Sequence, residues 1–201
     1  MDNTTNTKSK RILLFVVLGA VGFSVAGAMT VAMPILLPAG AGIAVFILVA
    51  PLRDWKRGLS LAVGAGIGCC LSFGFSSLWL MNMSSAVGAL LFGAFFCGLA
   101  AACLGWWWSR WKGTLLFSSA AVVGVLVAML TTYATIYFQG QWEALDEQFR
   151  GYGTLTFNPD DAQSWPEVLK PWVLIPWGAI EGAFIGAAAG FVEKTKDRMP
   201  L

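Results

Sequence analysis

Six stretches of this chain are apolar for about the length of a bilayer crossing, and no soluble core accommodates six such stretches. They span 12–30, 34–52, 59–80, 86–107, 114–138 and 172–192, separated by short charged or turn-rich segments. A hydrocarbon core of ~30 Å takes ~20 helical residues to cross, and helices satisfy their backbone polar groups internally, as lipid demands. The expected fold is therefore an all-α integral membrane protein, a polytopic bundle of about six transmembrane helices. Composition agrees, since the 201 residues are 57% hydrophobic and only 12% charged, an apolar excess typical of membrane chains. The first stretch is too long for a signal-peptide core and no small-residue cleavage site follows it, so it reads as a span.

Lysine and arginine set the expected orientation, because cytoplasmic loops carry their excess. With six spans, one side receives Lys8, Lys10, Arg11, Arg53, Lys56, Arg57, Arg110, Lys112, Lys194, Lys196 and Arg198, and the other only Arg150 and Lys170. Both termini are thus expected in the cytoplasm. The resulting plan is a tail at 1–11, five transmembrane helices within 12–138, an extracytoplasmic loop at 139–171, a sixth helix at 172–192 and a second tail at 193–201. The net charge of +2 hides two unlike faces and gives no argument for nucleic-acid binding.

Residue usage excludes much chemistry. The chain has no histidine, which removes Ser-His and Cys-His catalysis, HExxH zinc sites and His-ligated haem. Cys69, Cys70, Cys97 and Cys103 all fall within spans without a CxxC pair, and read as small packing residues. No phosphate-binding glycine loop or nucleophile elbow is present. The expectation is a non-enzymatic protein without catalytic residues, metal site or cofactor.

Small residues recur at four-residue spacing. In lipid, helices associate through small side chains that allow close backbone approach. The third run carries Ser60, Gly64, Gly68, Ser72 and Ser76, the fourth Ala89, Gly93, Cys97, Ala101 and Gly105, and the fifth Ala120, Gly124, Ala128 and Thr132. The longest such stripe is Gly178, Gly182, Gly186 and Gly190 in the last run, "GAIEGAFIGAAAG". It is expected either to pack the bundle or to dock a partner.

Glu181 interrupts that stripe. It is the one formally charged residue inside any run, ten residues after Pro171 and eleven before Val192, which puts it ~15 Å from either end and near mid-membrane. On a helical wheel it lies beside the glycines, ~60° from Gly178. Charge at that depth costs ~3 kcal/mol or more and marks a functional position by default. One reading is a protonated carboxyl group donating a hydrogen bond to a neighbouring helix. The other draws on "TTYATIYFQGQ" at the outer end of the fifth run, where Thr131, Thr132, Tyr133, Thr135 and Tyr137 concentrate polar groups. With Glu181 these residues would line a cavity open to the outer face, suited to a small cationic or hydrogen-bonding ligand or to a proton. The threonine hydroxyls have a local alternative, bonding back to their own helix.

The connections add detail. "MTVAMPILLPAGAG" joins the first two runs through Pro34 and Pro38 with almost no hydrophilic residue, as interrupted segments beside transporter sites do. In 139–170, Trp142, Leu145, Phe149 and Tyr152 fall at helical spacing and predict an interfacial helix, a surface connector or a lid. Trp106, Trp107, Trp108 and Trp111 flank Arg110 and Lys112 and read as an interfacial aromatic belt.

The plan of about 200 residues in six spans, with "AMTVA" at 28–32 and "IEGAFIG" at 180–186, is similar to the substrate-binding membrane subunits of energy-coupling-factor vitamin transporters. That resemblance implies an outward-opening pocket and a first helix that docks a scaffold subunit. Residues and resemblance together point to a small-molecule transport protein or substrate-binding transporter subunit with its cavity near Glu181. The alternative is a non-catalytic assembly subunit docking through the glycine stripe of the last helix. The expected partners are the lipid bilayer, a small-molecule ligand, and a membrane-protein partner or second copy, in a bacterial cytoplasmic (inner) membrane.

Overall fold

The structure is a computed structural model that describes residues 3–32, 36–52, 54–80, 86–138 and 171–196, with side-chain surroundings for 9–29, 36–52, 54–71, 94–132 and 175–193. The described elements are helical: α1 (Asn3–Ala32), α2 (Leu37–Val49, continued by a 3-10 turn at Ala50–Leu52), α3 (Trp55–Leu80), α4 (Ala86–Phe138) and α5 (Pro171–Lys196). Three segments are long and apolar enough to cross a membrane, Ser9–Met29, Ala94–Thr132 and Ile175–Glu193, and Leu37–Leu52 is a shorter apolar helix. These helices fit a membrane-embedded protein. The interfacial helix expected within 139–170, the turn at Pro34 and residues 197–201 lie outside the described residues.

A straight helix of 53 residues would be ~80 Å long, and α4 is not straight. Ser109 (φ −153°, ψ 30°) and Arg110 (φ 55°, ψ −142°) break it into arms 86–108 and 111–138. The arms fold back on each other as an antiparallel hairpin. Gly105 and Gly113 meet backbone to backbone, and Gly98 lies against Val122 further along. The Thr114 hydroxyl donates to the Arg110 carbonyl at 3.0 Å, tying the second arm to the turn. The break falls between the fourth and fifth apolar runs, where Arg110 and Lys112 put charge among the tryptophans.

The main packing neighbours form a closed ring, α1 on α2, α2 on α3, α3 on α4, α4 on α5 and α5 on α1. The tightest seam is α1 with α5. Gly178 approaches the carbonyl of Phe23, Gly182 that of Gly19, Gly186 that of Phe15, and Gly190 the Cα of Ile12. Residue numbers that rise on one helix as they fall on the other make the pair antiparallel. The glycine stripe of the last run is thus covered by α1 of the same chain.

Large residues point outward and small ones inward. Leu115, Leu130, Leu13, Phe191 and Val63 are exposed, whereas Ala44, Ala121, Ala128, Ala188 and Ala189 are buried. This inversion suits a lipid surround, in which close backbone approach is the source of packing energy. The core that does contain large side chains, Phe15, Leu48, Leu61, Leu104, Phe117 and Ile185, lies toward the end of the bundle that carries Arg57, Arg110 and Lys112.

Candidate functional site

Glu181 is partly buried and stands where several elements meet. The second arm of α4 crosses directly over it, since a Cβ on Gly124 would lie 3.0 Å from the Glu181 Cα and 3.4 Å from the Phe184 Cβ. A larger residue there would push the arm away from Glu181 and Phe184. From the first arm, the Cys97 thiol is the hydrogen-bonding neighbour of the Glu181 carboxyl group. From α3, Cys69 is close enough to feel its charge. Among the described residues Glu181 makes no ion pair. Cys97 and Cys69, read from sequence only as packing residues, are therefore its polar surroundings. Their shared small size in small-residue stripes is the signal that places them there, and it does not single out sulfur.

One helical turn from Glu181, on the same side of α5, stands Trp177. Its indole Nε1 is buried and, among the described residues, has no hydrogen-bond partner. A buried donor left unpaired costs about 1–3 kcal/mol, so a carboxyl group and an unanswered N–H share this region of the bundle. Pro176 lies inside the same helix and removes one backbone donor from that turn.

The threonines of the fifth run divide. Thr132 is partly buried on the stripe that includes Gly124 and Ala128, and Thr131 is exposed. Both hydroxyls donate to their own helix, Thr131 to the Val127 carbonyl at 2.8 Å and Thr132 to the Ala128 carbonyl at 3.0 Å. The structure places Thr132 two turns from the Gly124–Glu181 contact, away from the basic end, and puts Thr131 on the exposed side. Tyr133, Thr135 and Tyr137 are in the helix, with side chains outside the described set. Gly178, Gly182, Gly186 and Gly190 face α1, next to the carboxyl group but not around it.

A second polar cluster was not evident from sequence. At the basic end, Arg57 Nη2 donates to Glu193 Oε1 at 2.6 Å and the Trp108 indole Nε1 donates to the same oxygen at 2.7 Å. The guanidinium also lies over the Trp108 ring, 5.7 Å from its centroid, and that ring packs on Phe117 at 5.2 Å. Glu193 is 6% exposed and Trp108 4%. Local sequence positions the arginine. Asp54 caps α3, its carboxylate accepting the Arg57 backbone N–H at 3.1 Å and its carbonyl that of Gly58 at 2.9 Å, so Arg57 sits in the first helical turn. Trp108 accordingly departs from the aromatic-belt reading. Trp106, Trp107 and Trp111 are exposed and remain in positions a belt would use, whereas Trp108 turns inward to a charged acceptor.

Among the described residues no group of histidine, cysteine, aspartate and glutamate is arranged to hold a metal ion. What the arrangement around Glu181 offers is one carboxyl group, two thiols and an indole N–H inside a helical ring, a set able to bind a small polar or cationic group. No protein-family model, curated protein or solved structure matches the chain.

Proposed function

We propose that this chain is a small-molecule membrane transport protein or the substrate-binding membrane subunit of a transporter, with its ligand held beside Glu181. In this reading six spans cross a bacterial cytoplasmic membrane with both termini inside, the α4 hairpin supplying two of them, and the excess of lysine and arginine on one side supports that orientation. The observation that carries the proposal is that Glu181, with no cationic partner among the described residues, stands one turn from the Trp177 indole N–H, which has no hydrogen-bond partner among them either. Such a site suits a ligand that is cationic or donates hydrogen bonds to the carboxyl group and accepts one from the indole. Thr132 stands on the outer approach, and the filled core toward the basic end leaves access from the other side.

The glycine stripe would be the docking face of an assembly subunit, but α1 occupies it, which favours transport. With no histidine and no charged partner at Glu181, the chain is read as non-enzymatic. Direct binding tests the proposal. Protein reconstituted in nanodiscs is expected to retain one or more radiolabelled compounds from a panel of amines, amino acids and vitamins. Retention should disappear in Glu181→Gln and in Trp177→Phe, and retention unchanged in both variants would overturn the assignment.

A further inference from the structure

Arg57 and Glu193 join α3 to α5, two helices that are not principal neighbours in the ring. Their ion pair therefore reaches across the bundle axis and does not merely stitch a seam. Trp108, at the end of the first arm of α4, closes the third side by donating to the same carboxylate oxygen. Glu193 follows Glu181 by twelve residues on α5, ~18 Å along the helix, and the space between is filled by Leu61, Ala65, Ala101, Leu104, Ala189 and Val192. Anything beside Glu181 is separated from the basic end first by this apolar packing and then by the three-way polar contact.

We propose that Arg57, Glu193 and Trp108 form a gate that closes the basic end of the path from Glu181 and parts to open it. The inference rests on the transport reading above. The chemistry distinguishes a closure that can part from a permanent seam. Backbone-to-backbone contact of α1 with α5 leaves no room for repacking, so these two helices move as one body. A buried ion pair, by contrast, gains little net stability because desolvation offsets attraction, and the Arg57 side chain is already 30% exposed at the basic end. Hydration of the separated charges compensates for their parting as α5 withdraws from α3 and the hairpin. At the α4–α5 contact Gly124 lets the two backbones approach closely beside Phe184.

Cys69 and Cys97, inside the bundle near Glu181, are native reporters of opening. With Cys70 and Cys103 replaced by alanine, full-length protein in inverted membrane vesicles, which present the basic end to the medium, is treated from outside with a charged, membrane-impermeant maleimide and no ligand. The proposal expects slow labelling of the parent and a rise of roughly tenfold or more in Glu193→Gln and in Trp108→Phe. Trp108→Phe keeps an aromatic side chain while removing the hydrogen bond, so it remains a test if Glu193→Gln does not fold. Parent-like labelling in the folded variants would overturn the gate. Ligand retention at Glu181 with unchanged labelling removes the gate alone, and faster labelling in a protein that retains no ligand removes the transport reading alone.

Discussion

Gly19 of α1 and Gly182 of α5 meet so closely that a Cβ on either would overlap the other's carbonyl oxygen. Sequence adjacency has nothing to do with this contact, which joins the first and last described helices and closes the ring. It also holds the segment bearing Glu181 at a fixed height, since Gly178, Gly182 and Gly186 all lie against α1.

Side-chain size at Gly182 should accordingly decide stability. Gly182→Ala is expected to cost about 1–3 kcal/mol and Gly182→Leu about 3 kcal/mol or more, because neither helix backbone can yield without separating. Gly66 is the control. A Cβ there would sit 3.4 Å from the Pro38 carbonyl oxygen, an ordinary contact, and alanine favours helix by ~1 kcal/mol over glycine. Gly66→Ala should match or exceed the parent melting temperature in the same detergent, and equal losses at both positions would contradict this account of the seam.

The cluster at the basic end makes a different prediction. Glu193→Ala leaves Arg57 and the Trp108 N–H without their shared acceptor and is expected to cost about 3–5 kcal/mol. Trp108→Phe, which deletes one hydrogen bond to a charged group and leaves part of a buried indole's volume unfilled, should cost at least about 1.5–3 kcal/mol. Because both act through one oxygen atom, the double variant should lose much less than the sum, which a thermal double-mutant cycle reads directly.

Much of this architecture is legible in the sequence, and what is not has a physical reason. The length of the apolar runs and the charge at Arg110 and Lys112 separate the helices, and four-residue spacing marks Gly178 to Gly190 as an intimate contact surface. Which helix lies on that surface is not encoded locally, since α1 answers with Gly19 but otherwise with the backbones of Phe15 and Phe23, and any residue has a backbone. The Arg57–Glu193–Trp108 cluster is hidden for a related reason. Its members stand far apart in the chain, each in a setting that ordinarily faces water or headgroups, and Trp108 differs from Trp106, Trp107 and Trp111 only in helical phase.

Arg110 offers a test of the hairpin turn. Its φ of 55° with ψ of −142° belongs to a region that side-chain-bearing residues occupy at a cost of about 1–3 kcal/mol. Its guanidinium over Trp106, 5.6 Å from the ring centroid, returns about 0.5–1 kcal/mol at such an exposed site. Arg110→Gly is therefore expected to raise stability by about 1 kcal/mol, measured as a higher melting temperature. Arg110→Val, with branching at Cβ, should lower it.

Thr131 and Thr132 offer a paired comparison for the proposed site. Each hydroxyl donates within its own helix, so valine at either position should change stability by no more than about 1 kcal/mol. Thr131 is exposed and Thr132 partly buried, and only Thr132 lies where the transport proposal puts the approach to Glu181. Thr131→Val is expected to leave ligand retention unchanged, whereas Thr132→Val should weaken it, read as a rise in the apparent Kd of the bound compound.

The most direct test of the central claim is the thermal stability of the purified protein against a library of amines, amino acids and vitamins, with Glu181→Gln run in parallel. The account predicts at least one compound that raises the melting temperature of the parent and fails to raise that of the variant, because the carboxyl group both orders the ligand and is missing from Glu181→Gln. A library in which every compound that stabilises the parent stabilises Glu181→Gln equally would contradict a binding site at Glu181.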